Sequence, residues 1–301
     1  MDTKSYHIVA DGFSSIKVTA YNPGLFSHPT AERAFLDKFV AEQTARAQAR
    51  NGLFFDGDLV GIVMSSLVPQ GQTLKAEAQH LKYSEHAGLF RSNPEAPVQA
   101  AYVNSLAITQ DGYLVFGTTQ ATEADWMGKL GLPAGGLNLG PDGFPSLGTQ
   151  IYRELSEELG IASEYHFMEE LIPGWMNGGS KREGNYHVTV SFVTPLRLNK
   201  AEMDEYFKDW KAANEKWMNA AKARGEKVKV EFKDLRFIPN DQKYMLQFIA
   251  EQDSKGKNAN LLGKSLDVVE EWARKYNCDP EQLKESKKLG TQVYLPQPKL
   301  F

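Results

Sequence analysis

Residues 153–161 read Arg153-Glu154-Leu155-Ser156-Glu157-Glu158-Leu159-Gly160-Ile161, three glutamates in one helix-forming run that a glycine closes. On a helix, positions three and four apart are neighbours, so Glu154, Glu157 and Glu158 are expected on one side. Ile151, Leu155 and Leu159 fall on the other side and are expected to face a core. Three like charges on one face repel one another. A hard divalent cation such as Mg²⁺ offsets that repulsion, because it takes carboxylate oxygens while keeping several waters. Such an ion also bridges phosphate oxygens and activates water. A solvated acidic face is the alternative. The surroundings favour the cation: a Gly/Pro-rich stretch, Gly131–Gly148, leads in, Arg153 stands beside the carboxylates, and Gly160 stops the helix.

Outward from this segment the chain reads as mixed α and β. Upstream, Tyr102–Ile108 and Tyr113–Thr118 flank Thr109-Gln110-Asp111-Gly112, a hairpin pattern. Downstream, Tyr186–Leu198 and Val228–Ile238 read as strands, and Lys200–Ala223 as a charged helix with an aromatic stripe of Tyr206, Trp210 and Trp217. Asp241–Ala250 and Ser265–Tyr276 read as helices. Nearer the N-terminus, Tyr6–Ala10, Ile16–Ala20, Leu59–Leu67 and Leu74–Tyr83 are strand-prone. Pro29–Arg50 has helical spacing, with Ala34, Phe35, Phe39, Val40 and Ala47 on one stripe and Asn51-Gly52 as its stop. Ser92–Pro97 reads as a linker. The expected organisation is a small α+β unit over 1–95, a second unit over 98–280 and a C-terminal tail over 281–301.

Composition bounds the rest. The 301 residues are 42% hydrophobic and 24% charged, an ordinary globular mixture, and the formal net charge is -4. That charge lacks the footprint of a nucleic-acid binder, so no nucleic-acid partner is expected. Cys278 is the single cysteine, which excludes an intrachain disulfide and a cysteine-rich zinc site. The opening MDTKSYHIVADGF holds no apolar core of signal-peptide length, and no run nears the ~20 residues that span a bilayer. A cytoplasmic protein without a membrane partner is the expectation.

The segment resembles the Nudix hydrolase motif, G-x5-E-x7-R-E-U-x-E-E-x-G-U with U a bulky aliphatic. Residues 153–161 (RELSEELGI) match its second half at every specified position, and Pro133-Ala134-Gly135-Gly136 is similar to the Pro-x-Gly-Gly that often enters the motif loop. The first half departs. Counting back from Arg153, the motif's first glutamate falls on Pro145 and its glycine on Leu139, so the loop Leu137–Leu147 is longer than usual. Asp142 is an acidic residue in that loop that could stand in. The resemblance implies an α/β/α sandwich with a mixed sheet over about 98–280. It implies hydrolysis of the pyrophosphate bond of a nucleoside diphosphate derivative with Mg²⁺, or Mn²⁺ in its place. Glu154, Glu157 and Glu158 would be the metal-binding and catalytic carboxylates, and Arg153 would orient them. A further acidic residue is often added from a distant loop; Glu183, Glu231 and Asp234 are the candidates.

The order of a small N-terminal domain, a Nudix domain and an enlarged loop is similar to Nudix enzymes acting on UDP-glucose and UDP-galactose. A small-molecule nucleotide, with UDP-sugars among the possibilities, is therefore the expected substrate. The competing class is a Nudix-fold module that binds a nucleotide and cleaves it weakly or not at all. Gly135 and Gly136 are expected to line the substrate, and Trp175-Met176-Asn177-Gly178-Gly179-Ser180 to form a lid before a strand. Lys181 and Arg182 follow and are placed to meet phosphate oxygens. Trp126, Phe144, Trp175 and Tyr186 are candidates for stacking on a base. His187 is expected to be structural.

Overall fold

The computed structural model describes residues 8–24, 28–49, 56–93, 95–119, 128–161, 171–180, 182–223, 232–256 and 259–293. Their order is β1 (Ile8–Asp11), β2 (Ser15–Asn22), α1 (Thr30–Ala49), β3 (Asp58–Val63), β4 (Val68–Gln70), β5 (Thr73–Lys82) and a short turn α2 (Tyr83–Glu85). A π-helical turn, His86–Phe90, runs on from α2. Next come β6 (Val98–Ile108), β7 (Tyr113–Thr119), β8 (Leu130–Gly131), β9 (Ala134–Gly136), α3 (Leu147–Leu159), β10 (Ile172–Asn177) and β11 (Val188–Pro195). The chain continues with α4 (Lys200–Ala223), β12 (Phe232–Pro239), α5 (Gln242–Lys255), α6 (Gly263–Lys275), α7 (Pro280–Lys288) and β13 (Gln292–Val293).

The fold is mixed α/β. One sheet path runs β13-β1-β10-β11-β6-β3-β5-β2. β6 pairs with β11 in parallel, as β2 does with β5, and the other pairings are antiparallel, so the sheet is mixed. The first ninety residues enter this path twice. β3 pairs with β6 directly (Ile62↔Gln99), and β1 sits between β10 and β13. β6 is buried along almost its whole length, as a strand covered on both faces must be.

α3 forms where the three-glutamate run lies. Ser146 caps its first turn by accepting from the Thr149 N–H, and Gly160 takes the left-handed conformation (φ 72°) at its end. Ile151, Leu155 and Leu159 are wholly buried against the sheet. A second core gathers Trp272, Tyr276, Met245 and Leu283 from the C-terminal helices beneath the other side.

Several expectations shift. The apolar stripe of α1 does not bury as a stripe. Among its described side chains Leu36 is the buried one, Phe35 remains 47% exposed, and both pack with Phe39 around Gly88. The strand from Leu59 ends at Val63 in a 3-10 turn, Met64–Ser66. Within the 281–301 tail lie most of α7 and the whole of β13. The expected lid fails as a loop, because Trp175–Asn177 are strand residues paired with β11. Asn51-Gly52, Trp126, Lys181, Glu231 and residues 294–301 lie outside the described residues. Among the described residues no helix is long and apolar enough to cross a membrane.

Candidate active site

The glutamates of α3 divide into two environments. Glu154 and Glu158 are buried, at 8% and 2% exposure. Glu158 Oε2 accepts from the Ala134 N–H at 3.0 Å, and Glu154 Oε1 accepts from Gln150 Nε2. Both therefore lie against β9, the strand whose sequence is Ala134-Gly135-Gly136. Gly135 is what permits this approach, since a methyl at that position would land on the Glu154 carboxylate. Glu157 turns instead toward solvent, where its Oε1 meets Arg153 Nε at 2.9 Å. Arg153 thus holds one glutamate out, and the single crowded face expected from spacing is a buried pair beside an exposed ion pair.

These donors fit a hard divalent cation in kind. Two carboxylates are withdrawn from water on adjacent turns, and the glycine opposite leaves room for them. Among the described residues no three His, Cys, Asp or Glu side chains already converge as an ion site, so Glu157 would have to turn from Arg153 to join. Asp142 caps its own loop, accepting from the Phe144 N–H at 3.0 Å.

Gly135 also lines a cleft of about 280 Å³, which sequence reasoning did not locate. Its walls come from across the chain: Tyr83, His86 and Arg91 from the N-terminal part, Asn104 from β6, Asn177 from β10, and Lys264 from α6. Glu183, Asn185 and His187 complete the wall on the side before β11. Four of these side chains are more than nine-tenths buried yet carry bare polar atoms: His86 Nδ1, Asn104 Oδ1, both amide atoms of Asn177, and Asn185 Oδ1. A buried polar atom without a partner costs about 1–3 kcal/mol, so these residues of the cleft wall are a burden on the fold. Burial, with the Arg91 charge nearby, lowers the His86 pKa to about 4, and burial with Lys264, His86 and Arg91 takes His187 to about 3. Both imidazoles are therefore neutral, and the Tyr102 ring lies between them.

The remaining candidates fall elsewhere. Trp175 is fully buried and stacks on Tyr276 at 5.2 Å, so it is a core residue with no surface for a base. Arg182 is held by three carboxylates: Asp267, Asp253 at 2.7 Å and Glu270 at 2.7 Å. Those partners keep its pKa raised and leave its charge spent on structure. Glu183 reaches the cleft wall, bonding the Lys264 N–H and Asn185 Nδ2. Asp234 accepts from Thr118 on the β7–β12 side. Phe144 packs on the core, and Tyr186 is half-buried.

No family model matches this chain, and no curated protein does. Among solved structures, the chain is similar to the NUDIX domain of Shewanella oneidensis NrtR complexed with ADP ribose. That match has 14% identity and a TM-score of 0.36, covering 59% of this chain and 88% of that one. It is also similar to a mutT/nudix family protein from Listeria innocua, at 14% identity and a TM-score of 0.36, covering 59% and 94%. A MutT protein from Methanosarcina mazei Go1 has 16% identity and a TM-score of 0.33, covering 59% and 94%. Likenesses of this size leave the chemistry to be argued from the site's own residues.

Proposed function

We propose that this chain is a Nudix-type hydrolase that uses Mg²⁺ to cleave the pyrophosphate bond of a nucleoside diphosphate derivative, with UDP-sugars within its range. One observation carries the reading: Glu154 and Glu158 are buried on α3 against β9, and the same β9 lines the cleft through Gly135. Glu154 and Glu158 would hold the ion, with Glu157 as the third ligand. When bound, a divalent ion supplies charge neutralisation on the phosphates and a water acidic enough to attack at neutral pH. Arg153 holds Glu157 at the surface through their ion pair, which Glu157 would leave to join the ion. Arg91 and Lys264 place positive charge on the cleft wall where phosphate oxygens would lie. Glu183 is the acidic wall residue from outside the motif segment.

A second reading has an observation in its favour. Glu157 faces solvent in an ion pair, and no three acidic groups converge among the described residues, as suits a module that binds a nucleotide without cutting it. One experiment separates the two. The full chain is incubated with UDP-glucose, ADP-ribose and nucleoside triphosphates, and products are resolved by chromatography. The hydrolase reading expects a nucleoside monophosphate and a sugar phosphate from a diphosphate derivative with Mg²⁺, and neither with EDTA. Intact substrates throughout would leave the binding module standing.

A further inference from the structure

Gln150 lies one helical turn before Glu154 on α3 and is buried, at 4% exposure. Its side-chain oxygen accepts from the Asn138 N–H at 3.3 Å, and its side-chain nitrogen donates to Glu154 Oε1. A backbone N–H needs an acceptor and a carboxylate needs a donor, and an amide offers both at one end. Glutamate at this position would set a like charge against Glu154, and lysine would leave the Asn138 N–H facing a cation. Asn138 stands at the start of the loop that departs from the motif spacing. That loop closes on itself: Leu139 bridges to Pro145, and the Gly140 N–H donates to the Phe144 carbonyl at 2.9 Å. Its start is fastened to the sheet by the Leu137 N–H on the Ala101 carbonyl of β6 and by Asn138 Nδ2 on the Gly136 carbonyl of β9. Gln150 adds the fastening to the helix, so two hydrogen bonds in series run from the loop to a buried carboxylate.

We infer that Gln150 is a positioning residue: it ties the Glu154 carboxylate to the start of the motif loop, so that the two are held and released together. A helix alone leaves a glutamate side chain several rotamers, and a fixed donor one turn back selects among them. Gly135 supplies the room for the chosen rotamer, and Gln150 supplies the bond that holds it. Gln150 stands three residues before the segment that matches the motif, so pattern alone gives no sign of this role. An ion that orders Glu154 would order Asn138 as well, through a contiguous pair of hydrogen bonds. That last step rests on Glu154 being an ion ligand as proposed above; the tie itself is tested without metal and without turnover.

The test is amide hydrogen exchange, resolved by residue, on the full chain in EDTA. The Asn138 amide should be protected, and Gln150→Met, which keeps the length and loses both bonds, should speed its exchange at least ~10-fold. Glu154→Leu leaves Gln150 in place and removes its acceptor; it should speed the same amide about threefold or more, whereas a glutamine that merely fills space would be indifferent. The amides of Leu155 and Leu159 report on α3 itself and should keep their rates in both variants. An unprotected Asn138 amide, a Glu154→Leu rate equal to that of the natural chain, or a loss of protection spread over Leu155 and Leu159 in both variants would overturn the positioning role. Replacing EDTA by Mg²⁺ should slow Asn138 exchange in the natural chain and leave Gln150→Met unchanged. A tie that holds in EDTA while Mg²⁺ has no effect would keep Gln150 in its role and defeat the ion-binding reading. Mg²⁺-dependent hydrolysis without the tie would do the reverse.

Discussion

His86 shows what a single residue contributes when burial sets its charge. It is 4% exposed, its Nδ1 is bare, and burial with the Arg91 charge holds its pKa at about 4 against an ordinary 6.5. The unfolded chain therefore takes up this proton at higher pH than the folded one. Stability from His86 is complete above pH 6.5 and is lost as pH falls toward 4. The full difference is about 3 kcal/mol. Urea unfolding at steps between pH 7 and pH 4 should show a steeper loss for the natural chain than for His86→Gln. Equal slopes for both would mean that His86 is solvated and not part of a closed cleft. The asparagines of the cleft act likewise, each a polar side chain left incomplete by the fold. In the sequence they are unremarkable, because a lone asparagine in an apolar run such as Ala101-Tyr102-Val103-Asn104 looks the same whether it ends a strand or faces a ligand.

At the scale of elements, the contact between α3 and β9 joins the glutamates to the cleft. Gly135→Ala would drive the Glu154 carboxylate aside, and that carboxylate is the far end of a flexible side chain. We expect a small loss of stability, under about 1 kcal/mol, beside a fall of at least ~10-fold in Mg²⁺-dependent turnover. Thermal melting and steady-state rates on one preparation check this; unchanged turnover would remove Glu154 from the site. α3 itself was legible in the sequence, from its 3.6-residue periodicity and its closing glycine; the Ser146 cap emerged from the structure. Its division into a buried pair and an exposed ion pair was not, because spacing places Glu157 on the same side as Glu154 and does not show which of them β9 covers. The α1 stripe misled for a related reason: periodicity shows that a face is apolar, not that another element comes to cover it. Trp175 misled because Asn177-Gly178-Gly179 suggested a loop that begins two residues earlier than the strand in fact ends.

Across the whole molecule, strand pairing ties the N-terminal part to the site. β1 pairs with β10, the strand that carries Asn177, across more than 160 residues of sequence, and β3 extends the sheet from β6. Neither pairing could be read from local pattern, since short strands carry no mark of a distant partner. We propose that residues 1–95 and the remainder work as one unit. A chain starting at Ala96 should be insoluble, or should fold with a relaxed choice among diphosphate substrates; a soluble protein with unaltered kcat/KM would make the N-terminal part a passenger. On the proposed reading, a buried carboxylate of α3 serves hydrolysis rather than folding. Glu158→Gln keeps the shape and the oxygen that accepts from Ala134, and removes the charge. Turnover of the best diphosphate substrate with Mg²⁺ should fall at least ~100-fold, with Tm little changed or raised. Full turnover in Glu158→Gln would mean that Glu158 serves folding alone.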